Sequence, residues 1–297
     1  MGFQEASGGN RADYLRRVLA GEEFLLFDGA MGTMLQRAGL PAGDLPDLLC
    51  LSKPETVTGV HRAYVEAGSQ AVTTNTFGAN RERLDGAAPV EEVFSAAIAC
   101  ARESGALFVA ADIGPTGEML EPLGDLAPEE AYDLFAEEVT AAKKAGADLI
   151  IIETMADLQE IEAAVRAAKD NCDLPVFATM TFGMGGRTLF GVAPDDAAQT
   201  LDALGVDALG VNCSLGPADL VPIVSAMRAV TNKPLIAQAN AGLPSVSNGE
   251  TVYAVDAASY AGEVEALMDA GATIIGGCCG TDPEYIRELA NRIASRS

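Results

Sequence analysis

The chain has 297 residues, of which 49% are hydrophobic and 21% charged, with a formal net charge of −24 at pH 7. That balance provides for a large core and excludes a disordered chain. The strong acidity argues against nucleic acid and anionic membranes as partners, because both are recognised through basic patches. The opening residues MGFQEASGGN lack the basic and then apolar pattern of a secretory leader. No apolar run approaches the roughly 20 residues that cross a bilayer. The six cysteines therefore read as free or metal-bound thiols of a reducing compartment, with the cytoplasm the expected location.

In chain order, a leading helix is expected over about residues 8–22. Eight short apolar runs follow, at 24–27, 71–74, 107–113, 148–153, 175–180, 208–212, 235–239 and 273–276. Each is brief and often ends on Gly or a small polar residue, the signature of a strand buried on both faces. Helical patterns lie between them. The clearest is LAPEEAYDLFAEEVTAAKKAG, residues 126–146. Pro128 suits its first turn, Glu129 and Glu130 complement the positive end of its dipole, and Gly146 stops it. The joints AGADLII, LGVDALGV and AGATIIGG repeat one helix-stop-strand rhythm. Eight strands each followed by a helix predict an α/β fold, a (β/α)8 TIM barrel with an extra N-terminal helix. Residues 1–23 are assigned to an arm and leading helix and 24–297 to the barrel. A doubly wound open sheet is the alternative, but no Gly-rich dinucleotide fingerprint is present.

In such a barrel, chemistry sits at the C-terminal ends of the strands. Cys213 ends the sixth strand, Asn240 the seventh, and Cys278 and Cys279 the eighth. Neighbouring strands lie about 4.8 Å apart, so side chains from the sixth and eighth can converge on one ion. Three thiolates with one exchangeable position are the pattern of a catalytic zinc site. Any one of these cysteines alone reads equally well as a small buried residue. Cys50, Cys100 and Cys172 fall on or beside helices and read as packing thiols. Asp28, Asn75, Asp112 and Glu153 also end strands. Asp28 could instead cap a turn, Glu153 could pair with a basic residue, and Asn75 or Asp112 could orient the groups that touch a ligand. His61, the only histidine, sits in a helical pattern and reads as packed or solvated. The loop FGMGGRTLFG, 182–191, matches no phosphate motif and reads as a rim segment that closes over substrate.

Seven segments together resemble the homocysteine S-methyltransferase family. They are FDGAMGTMLQ (27–36), TNTFGAN (74–80), DIGPTG (112–117), IIETMAD (151–157), GVNCS (210–214), QANAGLP (238–244) and GGCCGT (276–281). The resemblance is strongest to the homocysteine-binding barrel of the cobalamin-dependent branch, and it runs from about residue 24 to the C-terminus. It implies a zinc barrel that methylates homocysteine to methionine, with ligands Cys213, Cys278 and Cys279. Asn240 would fill the fourth position until substrate sulfur replaces it. It further implies that Asp28 and Glu153 receive the substrate ammonium group, and that backbone N–H groups around Gly29, Ala30 and Met31 receive its carboxylate. The implied donor is methylcobalamin on a separate corrinoid protein or on further modules. Other branches use S-methylmethionine or betaine. The absence of Trp and the 5% aromatic content argue against an aromatic cage for a quaternary ammonium. Methylation of a different thiol and a non-catalytic zinc or amino-acid-binding barrel are the remaining alternatives.

Overall fold

A computed structural model of the chain describes residues 10–41, 43–247 and 250–296. Eight strands form one parallel sheet: β1 (Leu25–Leu26), β2 (Ala71–Thr73), β3 (Phe108–Ile113), β4 (Leu149–Met155), β5 (Val176–Met180), β6 (Ala208–Asn212), β7 (Leu235–Ala239) and β10 (Ala272–Gly277). Their spatial order is β1-β10-β7-β6-β5-β4-β3-β2, so the sheet curls until its two edge strands, β1 and β2, approach each other. Helices α1 (Arg11–Leu19), α2 (Met31–Arg37), α3 (Leu49–Ser52), α4 (Pro54–Ala67), α5 (Arg81–Leu84), α6 (Val90–Glu103), α7 (Pro128–Ala145), α8 (Leu158–Asn171), α9 (Pro194–Ala203), α10 (Pro217–Arg228), α11 (Ala257–Asp269) and α12 (Pro283–Arg296) accompany it. The TIM-barrel expectation is met. None of these helices is long and apolar enough to cross a membrane.

The apolar runs are continuous because both faces of each strand are buried. Leu25, Phe27, Phe108, Ala110, Leu149, Ile151, Phe177, Ala208, Ile236 and Ile274 point inwards and form an inner core. The alternate residues Leu26, Val109, Ala111, Ile150, Ile152 and Ile275 belong to a second, larger core beneath the helices. Helix α7 behaves as its sequence predicts. Pro128 opens it, and Gly146 closes it in the left-handed conformation at φ +86°.

Helix α1 covers the lower end of the barrel, where Tyr14 and Val18 join the inner core. It is shorter than the predicted 8–22, and residues 1–9 of the predicted arm lie outside the described residues. The sequence reading did not foresee the antiparallel hairpin β8 (Pro244–Ser247) and β9 (Glu250–Tyr253). It rises from the loop after β7, in a stretch of Gly, Pro and Ser whose alternation is too short to register as strand.

One glutamine ties the β1–β2 seam. The Gln70 N–H donates to the Leu26 carbonyl (2.8 Å), and the Leu26 N–H donates to Gln70 Oε1 (3.1 Å). Gln70 Nε2 also donates to the Tyr14 hydroxyl, which donates in turn to the Phe24 carbonyl. At the upper end, the Thr73 N–H and hydroxyl both donate to the Asp28 carboxylate at 3.0 Å. Gln70→Ala leaves a buried Leu26 N–H without a partner, which costs about 1–3 kcal/mol. The expected result is a lower urea midpoint and a thermal midpoint reduced by several degrees. Midpoints equal to the wild type would show that this residue does not hold the seam.

Candidate metal and amino-acid site

The C-terminal ends of the strands surround a cavity of about 290 Å³, at the small end of ligand-sized pockets. Glu153, Asp112, Asn75, Gly29, Ala30, Met31, Cys213, Cys278 and Cys279 all line it. Sequence reasoning therefore selected residues that the fold brings together. Asp28 stands just behind the lining, 1% exposed, with each carboxylate oxygen accepting from Thr73. Asn240 is buried beside the cysteine turn, and its Oδ1 has no hydrogen-bond partner.

The three cysteines converge from two strand ends. Their sulfurs lie within 4.8 Å of one another, with Cys213 Sγ and Cys279 Sγ 3.8 Å apart. The two strands deliver them differently. Cys213 and Ser214 adopt left-handed backbone, at φ +62° and +60°, a conformation that costs a non-glycine residue about 1–3 kcal/mol. The Cys213 N–H is held by the Gln238 carbonyl, its carbonyl by the Leu215 N–H, and the Ser214 hydroxyl bonds that of Thr181. After β10, the Cys278 N–H donates to the Ala239 carbonyl, and the Cys279 carbonyl accepts from the Ala241 N–H. Hydrogen bonds from Cys213 and Cys278 pull the Cys279 thiol below its usual range, whereas Cys213 and Cys279 push the Cys278 thiol up.

Thr154, next to Glu153, is also left-handed at φ +62°, an unusual place for a β-branched residue. Asn212 holds it there. Asn212 Oδ1 accepts the Thr154 N–H and the Thr179 hydroxyl, and its Nδ2 donates to Thr154 Oγ1, all at 2.8 Å. The kink aims Glu153 into the cavity. Burial, then the nearby Cys213, raises the Glu153 carboxyl to about 7. Burial raises Asp28 to about 8 against the lowering pull of Thr73. Asp112 is raised well above its ordinary value by burial and then by Glu153, and its Oδ1 has no partner. The Asn75 amide donates to the Pro46 carbonyl at 2.7 Å, which ties its strand end to the short 3-10 helix Pro46–Leu48.

Other lining residues escaped the sequence reading. Gln238 lies two residues before Asn240, so the strand period puts both on one face, and its Oε1 is likewise buried without a partner. Asp47 and Arg83 come from loop and short-helix segments that carry no strand-end signal. Arg83 is the only cationic residue among the lining residues. Burial, then the charge of Cys279, pushes the hydroxyl of Tyr253 in β9 up to about 12. The loop 182–191 does not line the cavity, and it leaves Met184 and Leu189 exposed. Buried His61 sits within α4, and neither of its ring nitrogens has a partner. Cys50 and Cys100 are buried and Cys172 partly so, all apart from the trio.

A sequence profile of the homocysteine S-methyltransferase family matches residues 25–293. Methionine synthase of Mycobacterium tuberculosis (strain ATCC 25618 / H37Rv) is 32% identical over 94% of this chain, and that of Mycobacterium leprae (strain TN) is 30% identical over 94%. The chain spans about a quarter of the length of these relatives, 25% and 24% respectively. Among solved structures, the oxidized form of the homocysteine methyltransferase MmuM from Escherichia coli superposes with a TM-score of 0.80 and 25% identity, covering 96% of this chain and 100% of that one. The metallated form of the same enzyme gives a TM-score of 0.79 at 24% identity, over 95% of this chain and 100% of that one. With the profile covering nearly the whole barrel, the chain belongs to the homocysteine S-methyltransferase family.

Proposed function

We propose that this chain binds zinc through Cys213, Cys278 and Cys279 and methylates homocysteine to methionine. The observation that carries this reading is the spacing of the thiols. Four ligands placed tetrahedrally at a Zn–S distance of about 2.3 Å put neighbouring sulfurs about 3.8 Å apart, and Cys213 and Cys279 are 3.8 Å apart. Asn240, buried just after β7 with an unpartnered Oδ1, suits a neutral fourth ligand that substrate sulfur replaces. A bound zinc ion would strip the proton from a coordinating thiol at neutral pH and keep charge on its sulfur.

The surrounding residues perform the remaining work. Three thiolates supply three negative charges, so a substrate thiolate joining them leaves excess electron density at the sulfurs. Glu153, with Asp112 on the neighbouring strand and Asp28 behind the cavity lining, offers carboxyl groups to the substrate ammonium, whose charge would favour their ionised forms. The uncapped start of α2 at Ala30 and Met31 offers N–H groups to its carboxylate. The Ala30 N–H already donates a long bond of 3.3 Å to Thr281 Oγ1, and Thr281 also excludes any side chain at Gly29.

The donor proposed is a methylcorrinoid, supplied by a separate protein or by further modules. The relatives at 30% identity or above, both named methionine synthase and both far longer than this chain, support it. A second reading keeps the site and takes S-methylmethionine as donor; the match over the full length of the E. coli homocysteine methyltransferase favours a barrel that acts without further modules. Purified protein should convert L-homocysteine to methionine in proportion to its zinc content, with either free methylcobalamin or S-methylmethionine. The donor that supports turnover separates the two readings. Cys278→Ala should lose both zinc and activity, and full activity in the zinc-free variant would overturn the proposal.

Glu153 has a second readout. Its carboxyl rises from 4.5 to about 7 on folding. Between those values the folded state keeps a proton that the unfolded state has lost. The associated stabilisation is therefore complete below about pH 4.5 and is lost as pH rises through 7. The urea midpoint of metal-free protein should fall between pH 5 and pH 8, and Glu153→Gln should flatten that slope. An unchanged slope would remove Glu153 as its source.

A further inference from the structure

Strand β4 is irregular at its upper end. Against β5, Ile152 pairs with Ala178 and Met155 with Met180. Three steps along β4 thus match two along β5, and the extra residue makes a β-bulge. The bulge breaks the alternation of the strand. Ile150 and Ile152 face the outer core, and so does Met155. Glu153 and Thr154, although consecutive, both line the cavity. In an unbroken strand Thr154 would face outwards and Met155 inwards.

The bulge requires the left-handed φ of +62° at Thr154, which a β-branched residue adopts only under constraint. The constraint comes from two strands away. The sheet order runs β6-β5-β4, and Asn212 of β6 reaches across β5 to accept the Thr154 N–H at 2.8 Å. Thr179, on the intervening strand, donates its hydroxyl to the same Oδ1 at 2.8 Å, and Asn212 Nδ2 donates to Thr154 Oγ1 at 2.8 Å. A backbone N–H can only donate, so the amide can sit in one orientation alone. Asn212 is fully buried and is not among the residues that line the cavity. It acts through the bulge, not by contact with a ligand.

We propose that Asn212 is a positioning residue for amino-group selection: by pinning the bulge of β4 it presents Glu153 to the substrate ammonium. The inference rests on the amino-acid reading of the cavity above and deepens it. The acceptor is chosen for its α-amino group as well as for its sulfur. A thiol that lacks the amino group still meets the cysteines but gains nothing at Glu153. Because Asn212 directly precedes Cys213, one strand end serves both choices.

The test needs no methyl donor. Calorimetry compares L-methionine with 4-(methylthio)butanoate, the same molecule without its amino group. Wild type should prefer the amino acid. Asn212→Ala should cut that preference by about tenfold, the scale of a hydrogen bond to a charged group. A general loosening of the site would weaken both ligands alike and leave their ratio unchanged. Glycine adopts a left-handed φ without penalty, so Asn212→Ala combined with Thr154→Gly should recover part of the lost preference. Should Asn212→Ala fail to fold, Thr154→Val approaches the same bulge from its other side. It keeps Asn212, removes the acceptor of its Nδ2, and should lower the ratio in the same direction. A wild-type preference that survives Asn212→Ala, or Thr154→Val in its place, would overturn the proposal alone. Equal wild-type affinity for the two ligands would overturn the amino-acid reading and the proposal with it.

Discussion

Buried acidic groups without basic partners govern the upper end of this barrel. Asp28, Asp47, Asp112, Glu138 and Glu153 are all held above their ordinary carboxyl range, each with burial as the largest cause. The converging sulfurs stand among them, and Arg83 alone among the cavity-lining residues carries positive charge. Such a site is costly while empty, because buried charge without a partner is disfavoured. The acids answer by keeping protons. A divalent ion at the sulfurs and an ammonium group at the carboxylates would each relieve part of that cost. The proposed ligands are thus the two charges that the cavity lacks, and binding either one should ease the ionisation of its neighbours.

The backbone is arranged to hold these groups apart from one another and still aim them inwards. Left-handed residues cluster at strand ends, with Thr154 near the end of β4, just before Met155, and Cys213 and Ser214 after β6. Asn212 links the two places, since it clamps Thr154 and directly precedes Cys213. Strain of this kind persists only where surrounding bonds overdetermine it. One buried amide therefore couples the carboxylate side of the cavity to the sulfur side, and a change at Asn212 would disturb both.

Much of this was legible in the sequence because it depends on periodicity. Continuous apolar runs marked the strands to within two residues, and Gly stops marked the helix ends. Strand ends then pointed to Cys213, Cys278, Cys279, Glu153 and Asp112. What stayed hidden depends on contacts between distant segments. Arg83 and Asp47 reach the cavity from outside the strands. Asn212 reads as an ordinary strand terminus until its partners are known. Tyr253, whose ring lies against Gly280, comes from a hairpin too short to show alternation. Asp28 was read as a ligand group or a turn cap, and the fold gives its oxygens a further task, fastening β2 to β1 through Thr73.

The stopper at the foot of the barrel has a kinetic meaning. Tyr14 and Val18 of α1 fill the lower end, and Phe27, Phe108 and Phe177 occupy the space above them. That packing fills the barrel axis below the cavity among the described residues, so reactants are expected to reach it from the top. Two reactants that share one doorway cannot arrive in arbitrary sequence when one of them is large. On the proposed reading, a small amino acid would enter before a bulky donor covers the opening and leave after that donor withdraws. The order of arrival and departure would then depend on a helix on the opposite side of the molecule from the proposed chemistry.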